Sequence, residues 1–264
     1  MTAKKRQNGF SVIEVILVLV VLALIGGMVY YALNNKSKDS ESGQSTNDKS
    51  NSTASDDGPP KLQNLGLASL DSVDVTTNAL RDYKSSGHKG LYIFGEELPG
   101  TPTRINPNIE YASLKEGTEV VSASDGEVVF IKEQSDSNDS EVFIASSEKS
   151  KWIIGYDHIV GLKVKKGDKV KAGDVIGTPA RQGNGLLRFE IQVNNEKSSS
   201  DSIHVCPVTL LDSSVKSTTT AQLKSIQESW EKVAGDNDMY DIEAQDPVGC
   251  MSKEITSAQA EGKS

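Results

Sequence analysis

Positive charge is what this sequence is short of. Its 264 residues hold 28 Lys and Arg against 37 Asp and Glu, a net charge of −9, and a chain without a basic surplus lacks the electrostatic footprint of nucleic-acid binding. Histidine is confined to three residues and cysteine to two, so a metal centre needing four imidazoles cannot be built from this chain alone. No long internal repeat occurs, which excludes a repeat architecture. Beyond Leu33 there is no long apolar run either, so a membrane-crossing helix must lie ahead of it.

Ahead of Leu33 the sequence is the reverse. Residues 10–33 are almost wholly apolar, and about 20 such residues let an α-helix cross a hydrocarbon layer of roughly 30 Å while bonding its own backbone. Lys4, Lys5 and Arg6 precede the run, whereas Lys36 and Lys38 beyond it are diluted by Asp39 and Glu41. That asymmetry keeps the N-terminus cytoplasmic and puts the rest outside, in the cell envelope or at its surface. Glu14 is costly inside an apolar helix and needs a partner or a role. The order Lys4-Lys5-Arg6-Gln7-Asn8-Gly9, then Phe10, then Glu14 resembles the leader and first helical turn of type IV prepilins. The resemblance implies that residues 1–9 are a leader cut between Gly9 and Phe10 by a membrane-embedded prepilin peptidase, which methylates Phe10. It also implies that Glu14 pairs with the terminal amine of a neighbouring pilin subunit. The alternative is a plain signal anchor.

Residues 34–63 are mostly Asn, Ser, Lys, Asp, Gly, Thr and Gln, ending near Gly58-Pro59-Pro60. Such a stretch cannot bury enough apolar surface to fold and reads as a disordered linker, where ordinary major pilins continue their first helix. Residues 64–90 read as a weakly structured lead-in with one weak helix between Leu67 and Tyr83. From Leu91 the signals are strands: 119–123, 126–131, 141–145, 151–156 and 187–193 are β-rich runs bounded by Gly, Asp, Asn and Ser. The fold class expected is mainly β, a sandwich or barrel core.

Between the strands, Val164-Lys165-Lys166-Gly167-Asp168-Lys169-Val170-Lys171-Ala172-Gly173-Asp174-Val175-Ile176-Gly177 repeats a Gly-Asp turn before a β-branched residue. It resembles the hammerhead turn of barrel-sandwich, or duplicated-hybrid-motif, folds. Biotinyl and lipoyl carrier domains share that grammar but present a modifiable lysine in an Ala-Met-Lys-Met-like turn, which is missing. The order of elements over 91–211 is similar to the LytM or lysostaphin-type peptidoglycan metalloendopeptidases: Gly117-Thr118-Glu119-Val120, Asp125-Gly126-Glu127-Val128, Tyr156-Asp157-His158, the paired turns, Leu186 to Glu190, and Pro207 to Leu211.

That family hydrolyses peptide with a zinc held by three protein ligands and one open position. The positions that should supply them are degenerate. The His-x-x-x-Asp pair becomes Asn106 with Glu110 or, with one gap, Pro107 with Tyr111. The His-x-His segment becomes Leu186-Leu187-Arg188, leaving an aliphatic side chain for the general base and a permanent cation for the third ligand. Of the former catalytic positions only His158 keeps its histidine. His88 and His204 read as surface or capping histidines. An Arg188–Glu110 ion pair would fill the place of the metal, so the expectation is no zinc, no metal and no cofactor, in a pseudo-metallopeptidase.

Outside the cytoplasm Cys206 and Cys250 read as a disulfide rather than a metal site or nucleophile. Over 220–233, Leu223, Ile226, Trp230 and Val233 fall on one helical face, within a C-terminal segment (212–250) followed by a polar tail (251–264). The expected function is an envelope protein whose exterior domain binds peptidoglycan or regulates a wall hydrolase. A minor pilin or pseudopilin is the alternative, and an active endopeptidase a second one.

Overall fold

The computed structural model describes residues 58–98, 100–198 and 201–263. Gly9, Phe10, Glu14 and the apolar run of 10–33 lie outside the described residues, and no helix among those described is long and apolar enough to cross a membrane.

The β signals become an antiparallel sheet of 11 strands together with a separate two-stranded ribbon. In chain order the strands are β1 (Leu91–Tyr92), β2 (Glu97–Leu98), β3 (Arg104–Ile105), β4 (Ile109–Leu114), β5 (Val120–Val121), β6 (Gly126–Gln134), β7 (Asp139–Ala145), β8 (Trp152–Val160), β9 (Lys169–Val170), β10 (Val175–Arg181), β11 (Leu187–Ser198), β12 (Asp201–Val205) and β13 (Glu254–Thr256). Among the described residues three α-helices accompany them: α1 (Thr77–Ser86), α2 (Ser213–Ala234) and α3 (Ser257–Glu261). The main path runs β1-β4-β11-β10-β8-β7-β6-β9, and β11 also pairs β8 directly. Strand alternation sends Ile109, Val142, Tyr156 and Ile191 to one face, all fully buried, and leaves the opposite face for polar residues.

The two Gly-Asp turns form as a matched pair. Asp168 accepts from Lys165 N at 3.0 Å and Asp174 from Lys171 N at 2.8 Å, while Gly167 and Gly173 take φ of +89° and +91°, a region that favours glycine. Each turn feeds a buried residue, Val170 and Ile176, into the core.

The structure departs from the sequence expectations at both flanks. Leu62, expected at the end of the linker, is fully buried and bridges Leu211. Leu65, Leu67, Leu70 and Val73 join the same core, with Leu67 bridging Val120 and Val73 bridging Leu114. The stretch 64–90 is therefore not a weak lead-in, because its spaced leucines cover strand edges that β4 and β5 leave open. The expected polar tail is also ordered: β13 adds to β12 and buries Ile255, and Thr256 caps α3 in a reciprocal bond pair with Gln259. α2 begins earlier than expected and packs through Thr219, Leu223, Gln227 and Trp230, while Val233 is 40 % exposed. The true stripe follows i, i+4, i+8 and i+11, so the last turn rotates Val233 off the core. Trp230 is fully buried, and a Cβ on Gly90 would lie 2.0 Å from its ring. Cys206 and Cys250 form a disulfide that fastens the segment after α2 beside Phe94.

Candidate functional site

On the polar face one row crosses the sheet. Strand register puts Tyr92 (β1) beside Glu110 (β4), Glu110 beside Glu190 (β11), and Glu190 beside Asp157 (β8). At the far end Glu141 (β7) sits opposite Lys132 (β6). Glu110 and Glu190 alternate with buried neighbours, Ile109 and Tyr111 on β4 and Phe189 and Ile191 on β11. Like charges directly opposite across strands are unfavourable, so the row requires cations.

Arg188, two residues from Glu190 on the same face, supplies the first. Its Nε lies 2.8 Å from Glu110 Oε1 as a charge contact, and its Nη2 donates to Glu190 Oε1. His158 supplies the second. Nδ1 is 2.7 Å from Asp139 Oδ2, and Nε2 is 3.4 Å from Glu190 Oε1 and 3.9 Å from Asp157 Oδ2. Asn108 Nδ2 donates to Glu190 Oε2, and Gln134 Nε2 to Asp157 Oδ1. Gln192 Nε2 reaches Glu141 at 3.0 Å by lying over Gly155, where a Cβ would stand 2.8 Å from the amide.

His158 occupies a break in the ladder. β8 pairs β11 through residues 152–157 and β10 through Ile159 and Val160, and its β7 register shifts across the same point. The residue between takes φ of +61°, uncommon for a non-glycine. Asp157 steadies it, Oδ1 accepting from His158 N at 2.7 Å. The kink turns the imidazole back toward the row, the re-aiming that irregular strand positions allow.

Burial opposes ionisation of this row. It pushes Glu110 up to about 7, helped by the nearby Glu190 charge and opposed by Arg188 and His158. Burial also raises Glu141 and Asp157. For His158 burial favours the neutral ring, yet the bond to Glu190, with Asp157 and Asp139, outweighs it and lifts the imidazole to about 9. Glu190 is held below its ordinary value because His158 and Arg188 outweigh its burial. At neutral pH His158 and Arg188 are cations on either side of the Glu190 carboxylate, with Glu110 poised to take a proton.

Cavities flank the row. One of about 260 Å³ is lined by Tyr92, Arg104, Glu110 and Arg188 among others, and one of about 490 Å³ by Gln134, Asp139 and Ile159 among others.

The candidate positions separate into two groups. Glu110, Arg188 and His158 meet through Glu190. Asn106 does not join them, because its Nδ2 is committed to Ile93 O and Asn108 O, both at 3.0 Å. Leu186 lies just before β11 and is half-buried. Asp139 and Asn108 stand outside every sequence motif of the site. Asp139 begins β7 and meets His158 only through tertiary pairing, while Asn108 lies two residues from Glu110 and had that proximity as its one signal. Cation-holding geometry is limited: Asp139, Asp157 and His158 each bring one ligand atom within 4.8 Å of the others, with hydrogen bonds already using much of that capacity.

Residues 108–200 match peptidase family M23. Residues 4–30 match the prokaryotic N-terminal methylation motif. Among solved structures, the chain is similar to the solution structure of lysostaphin at 21% identity, covering 41% of this chain and 44% of that one with a TM-score of 0.35. The catalytic domain of the antimicrobial peptidase lysostaphin from Staphylococcus simulans gives 22% identity over 40% of this chain and 80% of that one, TM-score 0.34. Csd3 from Helicobacter pylori gives 20% over 63% and 43%, TM-score 0.36. This chain thus spans less than half the length of the whole lysostaphin. No curated protein matches it in sequence. The chain joins a prepilin-type N-terminal motif to an M23-like β unit in which Glu110, His158, Arg188 and Glu190 all lie within the matched residues.

Proposed function

We propose that this protein is held in the cytoplasmic membrane by residues 10–33 and presents its M23-like unit to the envelope. There the unit binds peptidoglycan, or steers a wall hydrolase, without cutting peptide itself. The observation that carries the reading is the Arg188 guanidinium lying between Glu110 and Glu190.

The zinc of M23-type hydrolysis does not fit these residues. A guanidinium cannot lose its proton to become a ligand and repels a cation, and the Asn106 amide is turned to backbone carbonyls. The Glu110 carboxylate, the one anionic group among Asn106, Glu110 and Arg188, already faces Arg188. Removing one partner of a buried ion network typically costs about 3–5 kcal/mol, so the cleft keeps its shape through charge pairing instead of coordination. A polar groove held in shape by the Arg188 charge pairs is suited to holding a wall peptide.

The reading is tested on the full chain in detergent. Metal analysis should find no stoichiometric zinc, and the protein should be retained on purified sacculi without releasing soluble fragments. Stoichiometric zinc, with muropeptide release that disappears in His158→Ala, would overturn it.

A further inference from the structure

The cavity of about 260 Å³ at the Arg188 end of the row holds more hydrogen-bond donors than the protein itself uses. Its two acids are internally consumed. Asp82 Oδ2 accepts from Asn184 Nδ2 at 3.1 Å and lies 3.6 Å from His88 Nδ1, and Glu110 faces Arg188. The donors keep spare capacity. Arg188 donates through Nη2 to Glu190, its Nε makes a charge contact to Glu110 without a hydrogen bond, and its Nη1 makes no hydrogen bond to the described residues. Arg104, exposed on β3, makes no ion pair among the described residues. The Tyr92 hydroxyl accepts from Lys89 N at 3.1 Å, so its own proton is still available to give, and burial keeps that proton on by pushing the phenol up to about 12.

We propose that this cavity is a carboxylate subsite, taking a carboxylate of a wall peptide between Arg188, Arg104 and Tyr92. A guanidinium matches the two oxygens of a carboxylate in a planar fork, and the phenol adds a third donor. Arg188 then does for a bound peptide what a metal does elsewhere, presenting fixed positive charge to an oxygen, without the acidified water that hydrolysis needs. The inference rests on the reading that the cleft holds wall peptide, and it names the group recognised.

Calorimetric titration of the full chain in detergent tests it with four probes: a synthetic stem-type pentapeptide, its C-terminal amide, the same peptide amidated on its acidic side chain, and inorganic phosphate. The free acid should bind, and one of the two amides should bind about tenfold more weakly, which identifies the carboxylate. Arg104→Gln should weaken the free acid by a similar factor and leave that amide unchanged. Arg104 is exposed, so the variant keeps its fold. Equal binding of the acid and both amides overturns the subsite while leaving the cleft reading intact, and so does retention on sacculi without any peptide binding. Phosphate competing as strongly as the peptide overturns peptide recognition. Loss of both peptide binding and sacculus retention overturns the inference together with the reading beneath it.

Discussion

His158 is the residue whose chemistry is most changed by its surroundings. Asp139, Asp157 and Glu190 face its ring, with Arg188 beyond Glu190. An imidazole held charged up to about 9 contributes stability that is fully present below its unfolded value near 6.5 and is lost as pH climbs through 9. Glu110 acts in the same direction at lower pH: its proton persists to about 7 in the fold but leaves near 4.5 when unfolded, so stability declines across that interval. Denaturant midpoints measured from pH 5 to 9.5 should fall steadily, with the His158 share on the order of 2 kcal/mol after screening at the cleft mouth. His158→Gln should flatten the segment above pH 6.5 and leave the lower one. A wild-type midpoint that stays level from pH 6.5 to 9.5 would refute the charged imidazole. Some of this centre was legible in the sequence, since Glu110 and Arg188 stand at recognisable motif positions and their opposite charges suggest a pair. The Asp139–His158 contact was not, because it depends on a kink where β8 passes from one neighbour to another, and no local spacing encodes that.

Elements were legible where the pattern was local. The Gly-Asp turns read directly, because glycine at positive φ followed by an aspartate that accepts a backbone bond is specified within four residues. Strand runs with β-branched residues read nearly as well. Elements held by one distant contact did not: β13 shows a single apolar residue, Ile255, among polar ones, and Leu62 sits next to a linker composition. Both become ordered only because β12 and Leu211 offer them an open edge. Ending the chain at Met251 should therefore leave the outer edge of β12 unpaired, uncover the surface that Ile255 covers and cost about 2–4 kcal/mol, a loss comparable to truncating one buried aliphatic side chain plus its ladder. Equilibrium urea unfolding of full-length and shortened chains compares them. An unchanged midpoint would mean that β13 and α3 add nothing to the unit.

Across the whole molecule, function divides between two stretches that share no chemistry. The M23-like unit offers a charged cleft, while residues 4–30 match a methylation motif whose implied chemistry is processing and assembly. Glu14 decides how far that second stretch goes. A carboxylate in an apolar helix is costly unless it meets a cation, and cleavage after Gly9 would create one at the amine of Phe10 on a neighbouring subunit. Anchoring alone requires only the apolar run, so Glu14→Ala should leave the protein in the membrane fraction. If the chain is a minor pilin or pseudopilin, the same variant should vanish from sheared filaments, because the subunit would lose the contact that registers its helix against the next. Mass spectrometry of the native protein supplies the companion measurement: a mature chain beginning at methylated Phe10 is expected. An intact Met1 start, with Glu14→Ala recovered from filaments at the parental level, would reduce the N-terminal stretch to a plain anchor and leave the cleft as the sole working part.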